Sequence, residues 1–275
     1  MPQLSGDLVR HKLPTYTFGQ NVIFTEKTGS TNTELKKLAD QGAPEGLLYL
    51  TEEQVSGRGR LEKSWQAPPE SSLLMSLLFR PSHFLAPRQA QRLTMICALA
   101  LIEAIYARTD LKPYLKWPND LVWNDGKKLA GILTELEIED NKLVWAVVGA
   151  GLNVNLDFVN EPAYQTGNGS PPLAQTATSL SMILKRDTSD LRLPILQSFL
   201  FNVERRYNAL QDGHLPHQAW RERLIGLGEP VVIIGIDGSK RHGTMVGVNE
   251  DGALLLAQAD GTVETILAGE VSLRR

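Results

Sequence analysis

The chain has 275 residues, of which 42% are hydrophobic and 21% are charged, as in an ordinary globular protein with a large core. Its formal net charge of −3 argues against bulk binding to nucleic acid, and its single cysteine, Cys97, excludes an internal disulfide and a cysteine-rich zinc site. The five histidines lack metal-ligand spacing, and we see no signal peptide or membrane-length apolar run, so a cytoplasmic protein without membrane contact is predicted.

The first predicted helix follows a TGSTNTE segment. Ser30 or Thr31 can cap its N-terminus, leucines recur at helical spacing, and Gly42 ends it. Such an N-terminus also presents free N–H groups and hydroxyls to a polar ligand. The other elements predicted in this region are an arm over residues 1–20 and strands over 21–25, 46–50 and 72–79.

The second half of the chain alternates between segments predicted to form strands and segments predicted to form helices. Pro87 opens a long helix that runs to about residue 108, with Cys97 on its buried side. The elements predicted after it are strands over 114–117, 121–123, 128–137 and 143–152, a turn at 124–126, a loop at 167–172, helices from 179 and over 191–210, and a short helix with Trp220. From about residue 229, short apolar segments separated by Asp-Gly turns predict a small β-barrel.

The segment TEEQVSGRGRLEKSW, residues 51–65, carries the first candidate for chemistry. Gly57 and Gly59 free the backbone to approach a ligand closely, and Arg58 and Arg60 supply planar, permanently charged donors. We expect this segment to be mobile when empty and to become ordered around a phosphate or an acyl phosphate. A flexible surface turn is the alternative interpretation of the segment by itself.

Two further segments combine polar side chains with strand ends. In KWPND, Pro118 favours an extended backbone before it, so Lys116 extends from a strand end and can hold a carboxylate or phosphate. In GAGLNVN, residues 149–155, glycines permit close approach and asparagines offer amide groups. This second segment lacks the GxGxxG spacing and the following helix of a dinucleotide site, so a Rossmann fold is not predicted.

Five motifs, in this order, resemble the biotin–protein ligase family over about residues 21–275. They are STNTE at 30–34, EEQVSGRGR through Trp65, KWPND at 116–120, KLAGILTE at 128–135 and GAGLNVN at 149–155. The resemblance implies an α+β fold in which a mixed or antiparallel sheet is backed by helices, as in class II aminoacyl-tRNA synthetase cores. It implies a catalytic domain over 21–226 and an SH3-like C-terminal β-barrel domain over 227–275.

The same resemblance implies a two-step reaction. Biotin and ATP, with Mg²⁺, would form biotinyl-5′-AMP, and the biotinyl group would pass to a lysine of a biotin carboxyl carrier protein domain. The catalytic residues implied are Lys116, Arg58 and Arg60. The biotin-binding residues implied are Ser30, Thr31, Asn32, Gln54, Gly57, Arg58, Gly59, Arg60, Lys116 and Gly131. The nucleotide-binding residues implied are Arg58, Arg60, Trp65, Lys116, Asn119, Gly151 and Asn153. No protein ligand to a metal is expected.

Some positions depart from the family pattern or leave alternatives open. Glu62 and Lys63 stand where many members have glycine and arginine, which affects the flexibility and charge of the loop. Phe158 or Tyr164 is a candidate to stack on the nucleotide, with a plain core or surface aromatic as the alternative.

Several functional alternatives follow from these patterns. A lipoate–protein ligase and a biotin-binding regulator without turnover are the two rival functions. Some family members carry an N-terminal DNA-binding domain; the 20-residue arm leaves no room for one, so no DNA binding is expected. An exposed sheet edge could pair two copies into a homodimer.

Overall fold

The computed structural model of the chain describes residues 4–60, 64–65, 67–160 and 172–273. The expectations for Glu62, Lys63, Tyr164 and nearly all of the loop at 167–172 therefore lie outside the described residues. In chain order the strands are β1 (Val22–Thr28), β2 (Leu48–Gln54), β3 (Gly57–Arg58), β4 (Ser64–Trp65), β5 (Ser72–Phe79), β6 (Tyr114–Lys116), β7 (Asp120–Val122), β8 (Lys128–Glu139), β9 (Lys142–Asn153), β10 (Pro230–Ile234), β11 (Lys240–Val248), β12 (Leu254–Ala257), β13 (Val263–Ile266) and β14 (Glu270–Leu273). The helices are α1 (Gly6–Arg10), α2 (Thr31–Asp40), α3 (Gln91–Thr109), α4 (Leu173–Thr176), α5 (Leu180–Leu184), α6 (Arg192–Gln211) and α7 (His217–Arg221).

The larger sheet has seven strands in the order β1-β2-β5-β9-β8-β7-β6. β1 and β2 are parallel and the other neighbours are antiparallel, so the sheet is mixed. Helices α3 and α6 pack on each other and cover one face, whereas α2 packs on the other face. The predicted fold class, a mixed sheet backed by helices with a small C-terminal β domain, is confirmed.

All eight residues of strand β5 are buried, so both faces of the sheet are covered by other elements at this strand. Leu73 and Leu77 belong to the main core on the α3/α6 face, whereas Leu78 packs in a second cluster with the apolar residues of α2. Alternation along a strand then places Leu74 and Ser76 on the α2 face. This face carries the candidate site.

Helix α3 contradicts one expectation from the sequence. The stretch Pro87–Thr109 is long and apolar enough to cross a membrane by length and composition, although we expected no such run. Most of its window is buried inside the protein, as in the core helix of a globular domain, because α3 lies between α6, the sheet and α7.

The N-terminal arm contains a helix that its weak periodicity did not predict. Helix α1 and the residues after it place Val9, Leu13 and Phe18 in the main core. The carboxylate of Glu204 on α6 accepts hydrogen bonds from the backbone N–H groups of residues 16–18, at 2.7 to 3.0 Å. The arm is therefore packed against α6 rather than extended from the surface.

The predicted boundaries change most around residues 51–65, here called the arginine loop segment. Strand β2 continues through Gln54, beyond the apolar run that predicted it. Within the segment, Gly57 pairs with Trp65 and Arg58 with Ser64, which forms the short β3–β4 hairpin.

The C-terminal strands form a five-stranded antiparallel sheet in the order β13-β12-β11-β10-β14, consistent with an SH3-like barrel. Its Asp251-Gly252 turn packs on the larger unit, since Arg92 of α3 forms an ion pair with Asp251 at 2.7 Å. The indole Nε1 of Trp117 also donates a buried hydrogen bond to the carbonyl of Gly252 at 3.0 Å. Apolar residues of the small domain join the main core cluster, so the hydrophobic core is continuous across both units.

Candidate active site

A single row of paired residues crosses the larger sheet beneath the site. Lys116 pairs with Asp120, Asp120 with Gly131, Gly131 with Gly151, and Gly151 with Leu74. Residues directly opposite each other in antiparallel strands share a face, so these five lie on the α2 face of the sheet. The row therefore brings together motifs that are far apart in the sequence.

A hydrogen-bond network forms the polar end of the site at the start of α2. Ser30 occupies the N-cap position, but its side chain makes no capping hydrogen bond. Instead, the side-chain oxygen of Gln54 accepts the backbone N–H of Thr31 at 2.8 Å and faces the Thr31 hydroxyl at 3.2 Å. The predicted hydroxyl cap is thus wrong in detail, because an amide oxygen from β2 satisfies this helix N–H group.

The amide of Asn32 is held on every side. Its Nδ2 donates to the carbonyl of Leu133 at 3.2 Å and to Glu135 at 2.9 Å, and its Oδ1 accepts from the buried Ser76 hydroxyl at 2.6 Å. Gly149 is needed beneath it, because a Cβ there would lie 2.1 Å from the Asn32 Oδ1. The network fixes the amide orientation of Asn32 before any ligand binds.

The floor of the site is made of two glycines covered by an indole ring. A Cβ on Gly151 would lie 2.6 Å from Cε2 of Trp65, and one on Gly131 would lie 3.2 Å from Cζ3 of the same ring. The Nε1 of the ring is buried, and it has no hydrogen-bond partner among the residues that the structure describes. Glycine is required at both positions because any side chain would displace Trp65.

Four cationic side chains, those of Arg58, Arg60, Lys116 and Lys128, also line the site. The ammonium of Lys128 lies 2.8 Å from Asp120 Oδ1 and 5.5 Å from the centroid of the Trp65 ring, within the range of a cation–π interaction. The side chains of Lys116 and Arg58 make no hydrogen bond or ion pair with any residue that the structure describes. These two side chains can therefore attract an anion without first breaking a strong contact.

Arg60 connects the site to the small domain. Its Nη1 donates to the carbonyl of Gly269 at 3.3 Å and lies 3.5 Å from Asn119 Oδ1. Burial lowers the pKa of the Arg60 guanidinium, while the carboxylates of Glu270 and Asp120 act in the opposite direction. The two negative charges therefore help to keep Arg60 charged inside the cleft.

These features enclose a cavity of about 800 Å³, a typical size for a site that holds small molecules. The predicted residues that line it are Ser30, Thr31, Asn32, Gln54, Arg58, Gly59, Arg60, Trp65, Lys116, Asn119, Gly131, Gly151 and Asn153. Gly57 is the exception: it is buried within the β3–β4 hairpin, where a Cβ would lie 2.2 Å from the Trp65 carbonyl oxygen. Its place in the structure is a close backbone approach rather than a contact with the cavity.

Two of the predicted asparagines are engaged in holding the fold. Asn119 Nδ2 donates to the carbonyl of Ile132 at 2.6 Å. Asn153 Nδ2 donates to the carbonyl of Thr178 at 2.9 Å, which ties the end of β9 to the start of α5. Phe158 is buried in an apolar cluster beside Leu74 and also lines the cavity, so its alternative interpretation as a core aromatic fits its burial.

Sequence reasoning missed several residues of the site. Lys128, Asp120 and Glu135 lie in the five motifs, whereas Ser76 and Glu270 do not, and the sequence by itself does not predict any of the five as a site residue. Only the register of β7, β8 and β9 brings Lys128 and Asp120 beside Trp65. A lysine at the start of a strand in KLAGILTE was the one available signal.

The described ranges contain no group of three or more His, Cys, Asp or Glu side chains arranged to hold a metal ion. Asp120, one of the carboxylates that line the cavity, is paired with Lys128. A metal needed at this site would have to be carried by a ligand that supplies most of its coordination.

Comparison with known proteins identifies two families in the chain. Residues 24–153 match the biotin/lipoate A/B protein ligase family, and residues 226–274 match the biotin protein ligase C-terminal domain. The chain is 30% identical to the bifunctional ligase/repressor BirA of Bacillus subtilis over 98% of this chain and 79% of that protein. It is 31% identical to the biotin–[acetyl-CoA-carboxylase] ligase of Paracoccus denitrificans over 89% of this chain and 97% of that protein.

Among solved structures, the biotin protein ligase of Aquifex aeolicus in complex with biotin and ATP is similar to this chain. The TM-score is 0.70 with 28% sequence identity, and the match covers 93% of this chain and 99% of the other.

Proposed function

The chain belongs to the biotin/lipoate A/B protein ligase family, and we propose that it is a biotin protein ligase, an enzyme that activates biotin with ATP and transfers it to a lysine of an acceptor protein. The observation that carries this proposal is the combination of chemical groups that line the 800 Å³ cavity. A set of hydrogen-bonding groups lies at the start of α2, an indole covers two glycines of the sheet, and four cationic side chains line the same cavity. This combination suits a ligand with a polar urea ring, an apolar body and an acidic tail beside a triphosphate.

In the first step, a carboxylate oxygen of biotin attacks the α-phosphorus of ATP. The P–O bond to the β-phosphate breaks, pyrophosphate leaves, and biotinyl-5′-AMP forms. Two anions must meet, so fixed positive charge has to offset their repulsion and stabilise the transition state. We assign this role to Lys116, Arg58 and Arg60, and we add Lys128 because its ammonium lies over the glycine and indole floor.

In the second step, the neutral ε-amine of an acceptor lysine attacks the carbonyl carbon of the mixed anhydride. AMP leaves, an amide bond remains, and the amine loses a proton. The anhydride hydrolyses readily in water, so the arginine loop segment is expected to cover it until the acceptor arrives.

The residues at the start of α2 are proposed to bind the ureido ring. Both Nδ2 protons of Asn32 are already donated within the protein, so Asn32 has only lone pairs of Oδ1 left to offer. A ligand N–H group is the partner that fits such an acceptor. Ser30, Thr31 and Gln54 complete this end of the site, and Gly131 would lie under the body of biotin.

The nucleotide is proposed to bind toward Trp65, Asn119, Gly151 and Asn153. Mg²⁺ is proposed to enter with ATP, held mainly by phosphate oxygens and water, since the described residues offer no three-ligand metal cage. The residues of this chain then act by binding and orienting the phosphates.

The acceptor is proposed to be a biotin carboxyl carrier protein domain, and the location to be the cytoplasm, where ATP is available. A homodimer through an exposed sheet edge and the absence of DNA binding stay predictions. Sedimentation velocity with and without biotin and ATP tests the first, and a mobility-shift titration with duplex DNA tests the second.

The decisive experiment is exchange of labelled pyrophosphate into ATP, run with biotin and in parallel with lipoate. Exchange with biotin alone supports the proposal, and exchange with lipoate alone would assign the chain to the lipoate ligases of the family. Biotin binding without exchange would instead indicate a regulator. The Lys116→Ala variant serves as the control that links any exchange to this cavity.

A further inference from the structure

A buried ion pair connects helix α6 to the start of the arginine loop segment and to the residues that follow this segment. Arg192, the first residue of α6, contacts Glu52 near the end of β2, and their side chains are only 7% and 3% exposed. Neither residue lines the cavity. Glu52 lies in the EEQVSGRGR motif, but nothing in the sequence links it to Arg192, and the proposed reaction does not use the pair directly.

The pair holds both sides of the loop at once. On the entry side, Glu52 lies two residues before Gln54 of the site. On the return side, the same carboxylate oxygen of Glu52 accepts the backbone N–H of Glu70 at 2.9 Å, and Arg192 Nε donates to the carbonyl of Ser72 at 3.0 Å. The residues that lead into the loop and the residues that follow it are therefore both bonded to the Arg192–Glu52 pair at the start of α6.

The local backbone is also set for this contact. Glu70 has a φ of +62°, a left-handed conformation that is uncommon for a residue other than glycine. This conformation accompanies the hydrogen bond from its N–H to Glu52. Ser72, on which Arg192 acts, pairs with Asn153 of the cavity wall. The ion pair and its hydrogen bonds therefore fix the position of residues 70–72, which lie directly beside the site.

Stability is a poor explanation for the pair. Burying two charges costs about as much as their attraction returns, and apolar side chains of similar volume often serve as well. The second carboxylate oxygen of Glu52 is buried with no hydrogen-bond partner in the described part of the chain, so the pair is not fully satisfied there. The charged groups do impose a defined geometry, because the planar guanidinium of Arg192 donates to both the Glu52 carboxylate and the Ser72 carbonyl.

We propose that the Arg192–Glu52 ion pair is a positioning device that fixes the chain on both sides of the arginine loop segment, so that Arg58, Arg60 and Trp65 keep their places around the acyl-adenylate. This inference rests on the proposed function and assigns a part of it to residues outside the cavity. Residues that contact a reactive intermediate must be held to within a fraction of an ångström to retain it effectively.

The test uses the Glu52→Leu/Arg192→Met double variant, which removes both charges and keeps apolar volume. The enzyme is incubated with labelled biotin and MgATP but no acceptor, freed of substrates by rapid desalting, and the loss of bound biotinyl-5′-AMP is followed. We expect release about tenfold faster than from the wild type, with pyrophosphate exchange still measurable because the cavity floor is unchanged.

The matched control is Glu103→Leu/Arg206→Met, which removes another ion pair of α6, at 2.6 Å, far along the helix from the loop. Its release rate is expected to equal that of the wild type. Equal release from wild type and the Glu52/Arg192 variant would overturn the inference even if the variant melted at a lower temperature, since the pair would then be structural only. Faster release from the control as well would also overturn it.

If the double variant does not fold, Arg192→Lys replaces it in the same assay. Lysine keeps the charge and the apolar stem, but its single nitrogen cannot hold Glu52 and the Ser72 carbonyl with the same fork. Faster release supports the inference, and wild-type release overturns it. Failure of the proposed function can be told apart from failure of this inference. In the first case the wild type itself forms no biotinyl-5′-AMP, and the inference is then also rejected.

Discussion

Replacing Lys128 with methionine should damage the adenylation step more than replacing Lys116. The ammonium of Lys128 stands over the Trp65 ring and 2.8 Å from Asp120, whereas Lys116 lies at the edge of the row and also lines a second, smaller cavity next to the small domain. Removing Lys128 therefore does two things: it deletes a positive charge above the floor, and it leaves the Asp120 carboxylate to repel incoming anions.

The magnitude follows from Coulomb's law for a ligand charge about 4 Å from the Lys128 ammonium. Two unit charges 4 Å apart interact by about 4 kcal/mol at an effective dielectric constant of about 20. Lys128 is 35% exposed and Asp120 is 24% exposed, so water screens part of this energy. A loss of about 3 to 4 kcal/mol of transition-state stabilisation, or about 100- to 1000-fold in kcat, is expected for Lys128→Met. Lys116→Met should cost about tenfold, because Lys116 lies at the edge of the row and its loss leaves no ion-pair partner unpaired among the residues that the structure describes.

Biotin-dependent pyrophosphate exchange measures both variants. A double-mutant cycle sharpens the test, because Asp120→Asn in the Lys128→Met background removes the unpaired carboxylate and should recover about tenfold of the lost rate. Thermal melting checks that each variant is folded. The reasoning is refuted if Lys128→Met stays within threefold of the wild type, or if Lys116→Met loses more activity than Lys128→Met.

Three further predictions concern other parts of the molecule. Gly149→Ala should raise the KM for biotin at least about tenfold, because its Cβ would lie 2.1 Å from the Asn32 Oδ1, whereas Gly29→Ala, which meets nothing within 4 Å, should leave the KM unchanged. Cys97 is fully buried and burial strongly raises the pKa of its thiol, so a thiol reagent at pH 8 should label it only after denaturation; rapid labelling of the native protein would contradict the fold. Burial raises the pKa of Glu135, but hydrogen bonds from a lysine and an asparagine of α2 outweigh this effect and leave the pKa below 4.5. Its contribution to stability should thus be present above about pH 4.5 and be lost as the pH falls through the lowered folded-state pKa; melting curves of Glu135→Gln should lack that part of the acid dependence.

Local patterns in the chain were sufficient for most elements and for the family. The apolar run at residues 72–79 became β5 with the same bounds, and the four-residue repeats in 191–210 became α6 shifted by one residue. These signals are reliable because burial and backbone geometry act over a few neighbouring residues. Five short motifs in order were likewise enough to predict a ligand site along the chain, although each is weak by itself.

The arm over 1–20 shows the limit of such patterns. Its helix is only five residues long and is held by Gln197 of α6, while Glu204 of α6 holds residues 16–18; both contacts span nearly 190 residues of sequence. Short helices have little intrinsic stability, so tertiary contacts decide whether they form.

The pairings at the centre of the site depended on the tertiary structure alone. The row from Lys116 through Asp120 and Gly131 to Gly151 exists only because strands from four parts of the chain pair in one register. The sequence by itself determined which residue types were available: cations, amides and glycines near strand ends. The register decided that Lys128 stands over Trp65, since a shift by one residue would turn each of these side chains to the opposite face of the sheet.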